Sequence, residues 1–204
     1  PSYKANKDTL PQLVGAPGIA YNTSSFQGGD FSSWADLWKP EYKGKVQLLD
    51  DAREVFNIAL LKLGQDPNTQ DPAVIKTAYE ELLKLRPNVL AFSSDNPANS
   101  FIAGEVELGQ LWNGSIRIAK KEQAPVDMVF PKEGPVLWVD NLAIPSNAKN
   151  PDAAHKLINY LLSAPVAEKL TLEIGYPTSN VKALDKLPKE ITEDPAIYPT
   201  SEVL

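Results

Sequence analysis

An α/β fold with an open sheet flanked by helices is what this sequence predicts, on three observations. Apolar runs of strand length recur at 46–49, 89–92, 105–112, 126–130 and 136–145. Between and after them lie stretches whose apolar residues return every three or four positions, as the buried stripe of a helix does, over 55–63, 74–85, 151–162 and 165–174. Strand and helix alternate along most of the chain, the order from which open α/β sheets are built. The 204 residues suffice to bury a sizeable core, as one domain or as two small lobes.

Each element has a local reason. Residues 1–8, PSYKANKD, are polar and read as a frayed start. Residues 9–22 have the apolar content of a strand but are broken by Pro11, Gly15, Pro17 and Gly18, so they read as extended chain with bends, of the kind that crosses between lobes. A turn at 27–30 precedes Ser33, which caps a short helix ended by Lys39-Pro40; Trp34 and Trp38, four apart, are packing residues of it. The run Val46, Leu48, Leu49 is a strand that stops at Asp50-Asp51. Val55, Phe56, Ala59, Leu60 and Leu63 then draw one helical stripe, closed by Gly64.

Asp71-Pro72 starts a second helix on the stripe Val74, Ile75, Ala78, Leu82, Leu85, and Arg86-Pro87 ends it. Loop formers fill 93–99 between the strand at 89–92 and a short helix at 101–104. The strand at 105–112 stops at Asn113-Gly114 and is followed by a helix at 115–121, a strand at 126–130 and a turn at 131–135. After the strand at 136–145, Pro151 and Pro165 open two more helices, and Gly175-Tyr176-Pro177 turns the chain. From Val181 onward prolines and charges are too frequent for a long regular element.

Composition narrows the function. Lys+Arg 20 against Asp+Glu 26 gives a net charge of −6, which argues against a nucleic-acid partner and mildly favours a cationic one. Without cysteine there is no disulfide, thiol nucleophile or thiolate metal site, and His155 alone cannot make a multi-histidine centre. His155 sits in a helical pattern as a surface residue. No run approaches the roughly 18 apolar residues of a membrane span, so the chain does not itself span a membrane. Its opening residues lack the n-region and h-region of an export signal, so any such signal has been removed or was never there. Gly-rich phosphate loops, GxSxG and HExxH are absent as well, and no cofactor is implied.

Two arrangements carry chemistry. Asp51 and Glu54 stand three apart on the first turn of the helix that follows the 46–49 strand. They read first as an acidic capping box, each carboxylate accepting a backbone N–H, and remain compatible with a site for a cation, because a cap uses only one or two of a carboxylate's roughly four lone pairs. In the 136–145 strand, Trp138 and Asp140 project to one side, opposite Leu137 and Val139. An indole beside a carboxylate suits an organic cation, and it equally fits a core tryptophan beside a surface aspartate. Ligands of open α/β sheets gather at the carboxyl ends of strands, where Asp51 and Trp112 both fall.

The stretches LLDDAREVF, SSDNPANSFIAGEVELGQLWNGS, PKEGPVLWVDNLAIPSNAKN and EIGYPTSN, in that order, together with SWADLWKPEYKGK, resemble the periplasmic spermidine/putrescine-binding proteins of bacterial polyamine uptake transporters. The resemblance implies a type II periplasmic-binding fold, two lobes closing on a polyamine, and delivery to the membrane permease of an ABC transporter. Carried over residue by residue, Asp51 and Glu54 bind ammonium groups and Asp140 another; Trp112, Trp138 and Tyr176 line the methylene chain; Ser94 is a polar contact. The likeness further implies that this chain corresponds mainly to the second lobe and lacks the first: 1–15 a crossing segment, 16–138 the second lobe, 139–184 a stretch that returns to the first lobe, 185–204 a return to the second. Two other readings stand beside it: a polyamine sensor serving a membrane signalling partner, and a hydrolase using Asp51 and Glu54 as paired carboxylates.

Overall fold

The computed structural model describes residues 8–27 and 30–199. The frayed start and the two glycines of the 27–30 turn therefore lie outside the described residues, apart from Asp8.

The stretch 9–22 is two strands, β1 (Thr9–Gly15) and β2 (Pro17–Asn22), which belong to different sheets. Ser33 caps a turn of 3-10 helix at Trp34–Trp38, and Asp36 reciprocates in a capping box. A second 3-10 turn, Pro40–Tyr42, leads into β3 (Val46–Leu48). Helix α1 (Ala52–Lys62) starts at Asp51 and ends before Gly64, whose φ is +67°. Asp71 caps α2 (Pro72–Leu85) with Pro72 in the first turn, and a 3-10 turn at Arg86–Asn88 delivers β4 (Val89–Phe92).

After α3 (Asn99–Ile102), β5 is shorter than the alternation suggests, Leu108–Trp112. The N–H groups of Glu105 and Val106 both donate to the Ser100 carbonyl, closing the end of α3, and sheet pairing begins only where Leu108 meets Tyr21. Then follow α4 (Asn113–Lys121), β6 (Val126–Val129), β7 (Trp138–Ala143), α5 (Pro151–Leu161) and α6 (Ala164–Ile174). Among the described residues the tail forms two single-turn helices, α7 (Val181–Leu184) and α8 (Lys189–Thr192).

Five strands form one sheet in the order β4-β3-β5-β2-β6, with β3 parallel to β4 and β5, and β2 antiparallel to β5 and β6. The carboxyl ends of β3, β4 and β5 therefore lie along the edge at which β2 begins. The other sheet pairs β1 with β7 antiparallel. Pro11 donates no hydrogen bond, and the register of that ladder shifts between Pro11 and Leu13. On its other side β1 is met by the segment after α6: Val14 N–H donates to Pro177 O at 3.0 Å and Ser179 N–H to Gln12 O at 3.1 Å.

The core fills both faces of the five-stranded sheet. Ile19, Trp34, Leu37, Val46, Leu48, Ile58, Leu85 and Leu108 meet in one cluster; Ala20, Phe101, Leu111, Ile116 and Met128 meet in another. Trp34 is fully buried and Trp38 packs partly against the first cluster, as their spacing predicts. The stripe of α1 is wider than its pattern: Ile58 faces β3 while Ala59 and Leu60 pack on Ala78 of α2, with Phe56 and Leu63 beside them half-buried. Helix α5 differs from the rest in burying no residue, and its Leu157 and Tyr160 are 57% and 63% exposed.

Candidate functional site

The β3–α1 turn is built from its cap. Asp51 Oδ1 accepts from the backbone N–H of Arg53 at 2.8 Å and of Glu54 at 3.1 Å, satisfying two of the donors a helix start leaves open. Glu54 does not return the bond, so the acidic capping box forms only by half. Its Oε2 is buried without a hydrogen-bond partner, and the side chain turns into a cavity. Burial is the main cause that raises the Glu54 pKa to about 7, and the neighbouring Asp51 charge adds to the rise. The Trp112 indole lies near enough to oppose that rise, yet its Nε1 and Glu54 Oε2 both remain outside hydrogen-bond geometry.

Register brings the aromatic residues together. Gly15 pairs with Trp138 on β7, and Pro17, two residues on, pairs with Trp112 at the end of β5. The two tryptophans, 26 positions apart in sequence, thus flank the single residue Ala16 where the sheets meet. Asn113 pins that point, its side chain accepting from Ala16 N–H at 3.3 Å while its own N–H donates to Ala16 O at 3.0 Å. Tyr176 is set beside them by the pairing of Pro177 and Ser179 with β1. The Trp138 and Tyr176 rings meet edge to face, 5.2 Å between centroids at 61°.

The result is an open cavity of about 380 Å³ lined by Asp51, Glu54, Trp112, Trp138, Asp140 and Tyr176. Trp138 and Asp140 share it as their alternation predicts. Burial raises the Tyr176 hydroxyl above its ordinary value, partly opposed by its bond with Ser115, and the Asp140 charge adds to the rise. Ser94 is the one candidate the cavity does not include. It lines an adjoining hollow of about 300 Å³ that shares Trp112 and Tyr176 with the first, and its buried Oγ has no partner. Among the described residues no group of three or more His, Cys, Asp or Glu is arranged to hold a metal ion, and no helix is long and apolar enough to cross a membrane.

The sequence model of the family described as bacterial extracellular solute-binding protein matches residues 1–200. The chain belongs to that family. It is 76% identical over 204 residues to spermidine/putrescine-binding periplasmic protein 1 of Haemophilus influenzae and 51% identical over 199 residues to the spermidine/putrescine-binding periplasmic protein of Escherichia coli. These matches cover 100% and 98% of this chain, which spans 57% of the length of each relative. Its fold superposes with a TM-score of 0.83 on the spermidine/putrescine ABC transporter substrate-binding protein PotD of Streptococcus pneumoniae, at 35% identity, over 97% of this chain and 61% of that one.

Three amides that the sequence pattern does not single out support the site. Gln110, fully buried on β5, accepts from Leu49 N–H at 3.4 Å and donates to Glu54 O at 3.2 Å, tying the end of β3 to the first turn of α1. Gln47 holds the 93–99 loop through Pro97 O at 3.0 Å and the Ser100 hydroxyl at 2.5 Å. Asn113 reaches Ile197 O at 3.0 Å besides pinning Ala16. The available signal was a lone amide inside an apolar strand, at Gln47 and Gln110, where burial demands a partner for each polar atom.

Proposed function

We propose that this chain carries most of the amine-binding surface of an extracytoplasmic polyamine receptor, which takes spermidine or putrescine and hands it to the membrane permease of an ATP-driven importer. The observation that supports this most is the cavity itself. It joins carboxylates from two distant segments of the chain, Asp51 and Glu54 from one and Asp140 from the other, with the rings of Trp112, Trp138 and Tyr176. A polyamine presents ammonium groups at fixed separations on a flexible apolar chain. Separated acids match those charges, and aromatic walls cover the methylenes and attract the ammonium through their π faces, by about 0.5–2 kcal/mol per contact. A hard hydrated ion such as calcium wants six to eight oxygens instead, and indole rings offer none. Ser94 serves the same ligand from the adjoining hollow.

The relatives are named as binding proteins, and their names place them in the periplasm, where we place this protein too. No enzymatic step is proposed: Asp51 and Glu54 stand one helical turn apart and face one cavity, whereas paired glycosidase acids approach their bond from two sides. Since the chain spans 57% of its relatives' length, we assign the five-stranded sheet to the second lobe and the β1–β7 ribbon with α5 and α6 to the side that meets the first. The unburied face of α5 supports that assignment.

The test is thermal unfolding with putrescine, spermidine, spermine and calcium, for this chain and for Asp140→Asn. A polyamine-specific rise in melting temperature that the substitution abolishes is expected. A larger rise with calcium than with any polyamine would show a cation site of another kind.

A further inference from the structure

Two glycines stand against the aromatic residues that line the cavity. A Cβ built on Gly15 would lie 2.0 Å from Trp138 Cζ2 and 2.4 Å from Cε2, and one on Gly114 would lie 2.5 Å from Cγ, Cδ1 and Cε1 of Tyr176. Carbon atoms in van der Waals contact stand about 3.5–4.0 Å apart, so neither ring stays in place once a methyl group is added. The three equal distances at Gly114 put its α-carbon under the face of the tyrosine ring. At Gly15 the indole crosses from the paired residue of the neighbouring strand and lies over the bare backbone, as aromatic side chains do opposite strand glycines.

We propose that Gly15 and Gly114 are positioning residues for amine binding: they seat the Trp138 and Tyr176 rings and so fix the width of the groove between those rings and the acids. The inference rests on the polyamine reading above. Neither glycine lines the cavity; each acts through the ring it supports. Because the two rings touch, displacing one moves the other. A methyl at either glycine drives its ring by about 1 Å or more away from the glycine, toward the cavity that the ring lines. The groove narrows where the methylene chain lies. The longer triamine, which must thread past both rings, loses more than the diamine.

Gly18 provides the control. A Cβ there would also be crowded, at 2.8 Å from Val129 O and 2.9 Å from Met128 Cγ, but on β2 among residues that do not line the cavity. Calorimetric titration of spermidine and putrescine into this chain and into Gly15→Ala, Gly114→Ala and Gly18→Ala separates a seat from general crowding. Spermidine affinity is expected to fall about tenfold or more in the first two, with putrescine falling less and the near-ultraviolet circular dichroism of the aromatic residues altered; Gly18→Ala lowers the melting temperature and leaves affinity within about twofold.

Folded Gly15→Ala or Gly114→Ala chains that bind spermidine like the original overturn the proposal. If Gly15→Ala is too unstable to titrate, the same alanine in a Trp138→Ala background decides: its melting-temperature penalty vanishes if the indole is what it meets, and persists, against the proposal, if not. Failure of the unaltered chain to bind any polyamine would instead sink the functional reading, while that melting-temperature cycle would still report on the seat.

Discussion

Glu54 carries a folding cost at the place where the proposed amine site calls for a charge. Its carboxyl is buried near Asp51 and the unpartnered indole N–H of Trp112, and its pKa stands near 7 against an ordinary 4.5. The folded chain therefore holds the Glu54 proton more tightly than the unfolded chain does. Between about pH 4.5 and pH 7 the folded state binds more protons, so stability falls as pH rises through that window and levels off above it. The shift corresponds to something on the order of 3 kcal/mol at pH 8. Glu54→Gln, neutral at every pH, is expected to raise the melting temperature of the ligand-free chain at pH 8 and to flatten its slope between pH 5 and 7; an unchanged slope would place the titration elsewhere. An arriving ammonium reverses the balance by favouring the ionised carboxylate. Spermidine binding near pH 6.5 should accordingly release protons, measured as a dependence of the calorimetric heat on the buffer's ionisation enthalpy. Sequence showed the Asp51–Glu54 spacing but not this division of labour, because whether an acid three residues into a helix turns back to the cap or outward depends on what the neighbouring strand places beside it.

At the level of elements, the β3–α1 turn was legible and the origin of its neighbours was not. A short apolar run, an acid at the cap, a helical stripe and a closing glycine are local signals, and each produced the element it announces. The same holds for β4, β6 and the proline-led helices α2 and α5. The stretch 9–22 could not be resolved locally: Pro17 ends one strand's reach and starts another, but which sheet each strand joins is decided by partners about a hundred residues away, at Trp112 and Trp138. Ser94 was grouped with the ligand residues by resemblance and lies in the adjoining hollow. For the turn itself, cap and charge can be separated. Asp51→Asn keeps an oxygen for the N–H groups of Arg53 and Glu54, so stability changes by only a few tenths of a kcal/mol, whereas Asp51→Ala costs about 1 kcal/mol. Both remove the charge, so both should weaken polyamine binding to a similar extent in calorimetry. An Asp51→Asn chain with full affinity would make this aspartate a cap alone.

Across the whole molecule, the cavity is assembled at the junction around Ala16. Five buried or part-buried contacts converge there: the Gly15–Trp138 and Pro17–Trp112 pairs, the two Ala16–Asn113 bonds, and the link from Asn113 to Ile197 in the tail. Replacing Asn113 with leucine leaves the Ile197 carbonyl without that side-chain donor and removes the acceptor of Ala16 and Gly114 N–H, a loss of about 2 kcal/mol or more by chemical denaturation. An equally stable Asn113→Leu chain would show that the junction is held by other means. The face of α5, with Leu157 and Tyr160 exposed, and Leu10 on β1, 47% exposed, fit a molecule whose relatives are longer. The chain spans 57% of its relatives' length, and on the proposed reading calorimetry is expected to show it binding spermidine more weakly than a full-length relative does.

The central claim is that acids from two separate segments act on one elongated amine. Calorimetric titration of spermidine into this chain, Asp51→Asn and Asp140→Asn tests it directly. Saturable binding that each substitution weakens about tenfold or more is the expected result. Spermidine binding that survives Asp140→Asn unchanged, or no binding by the chain at all, would contradict it.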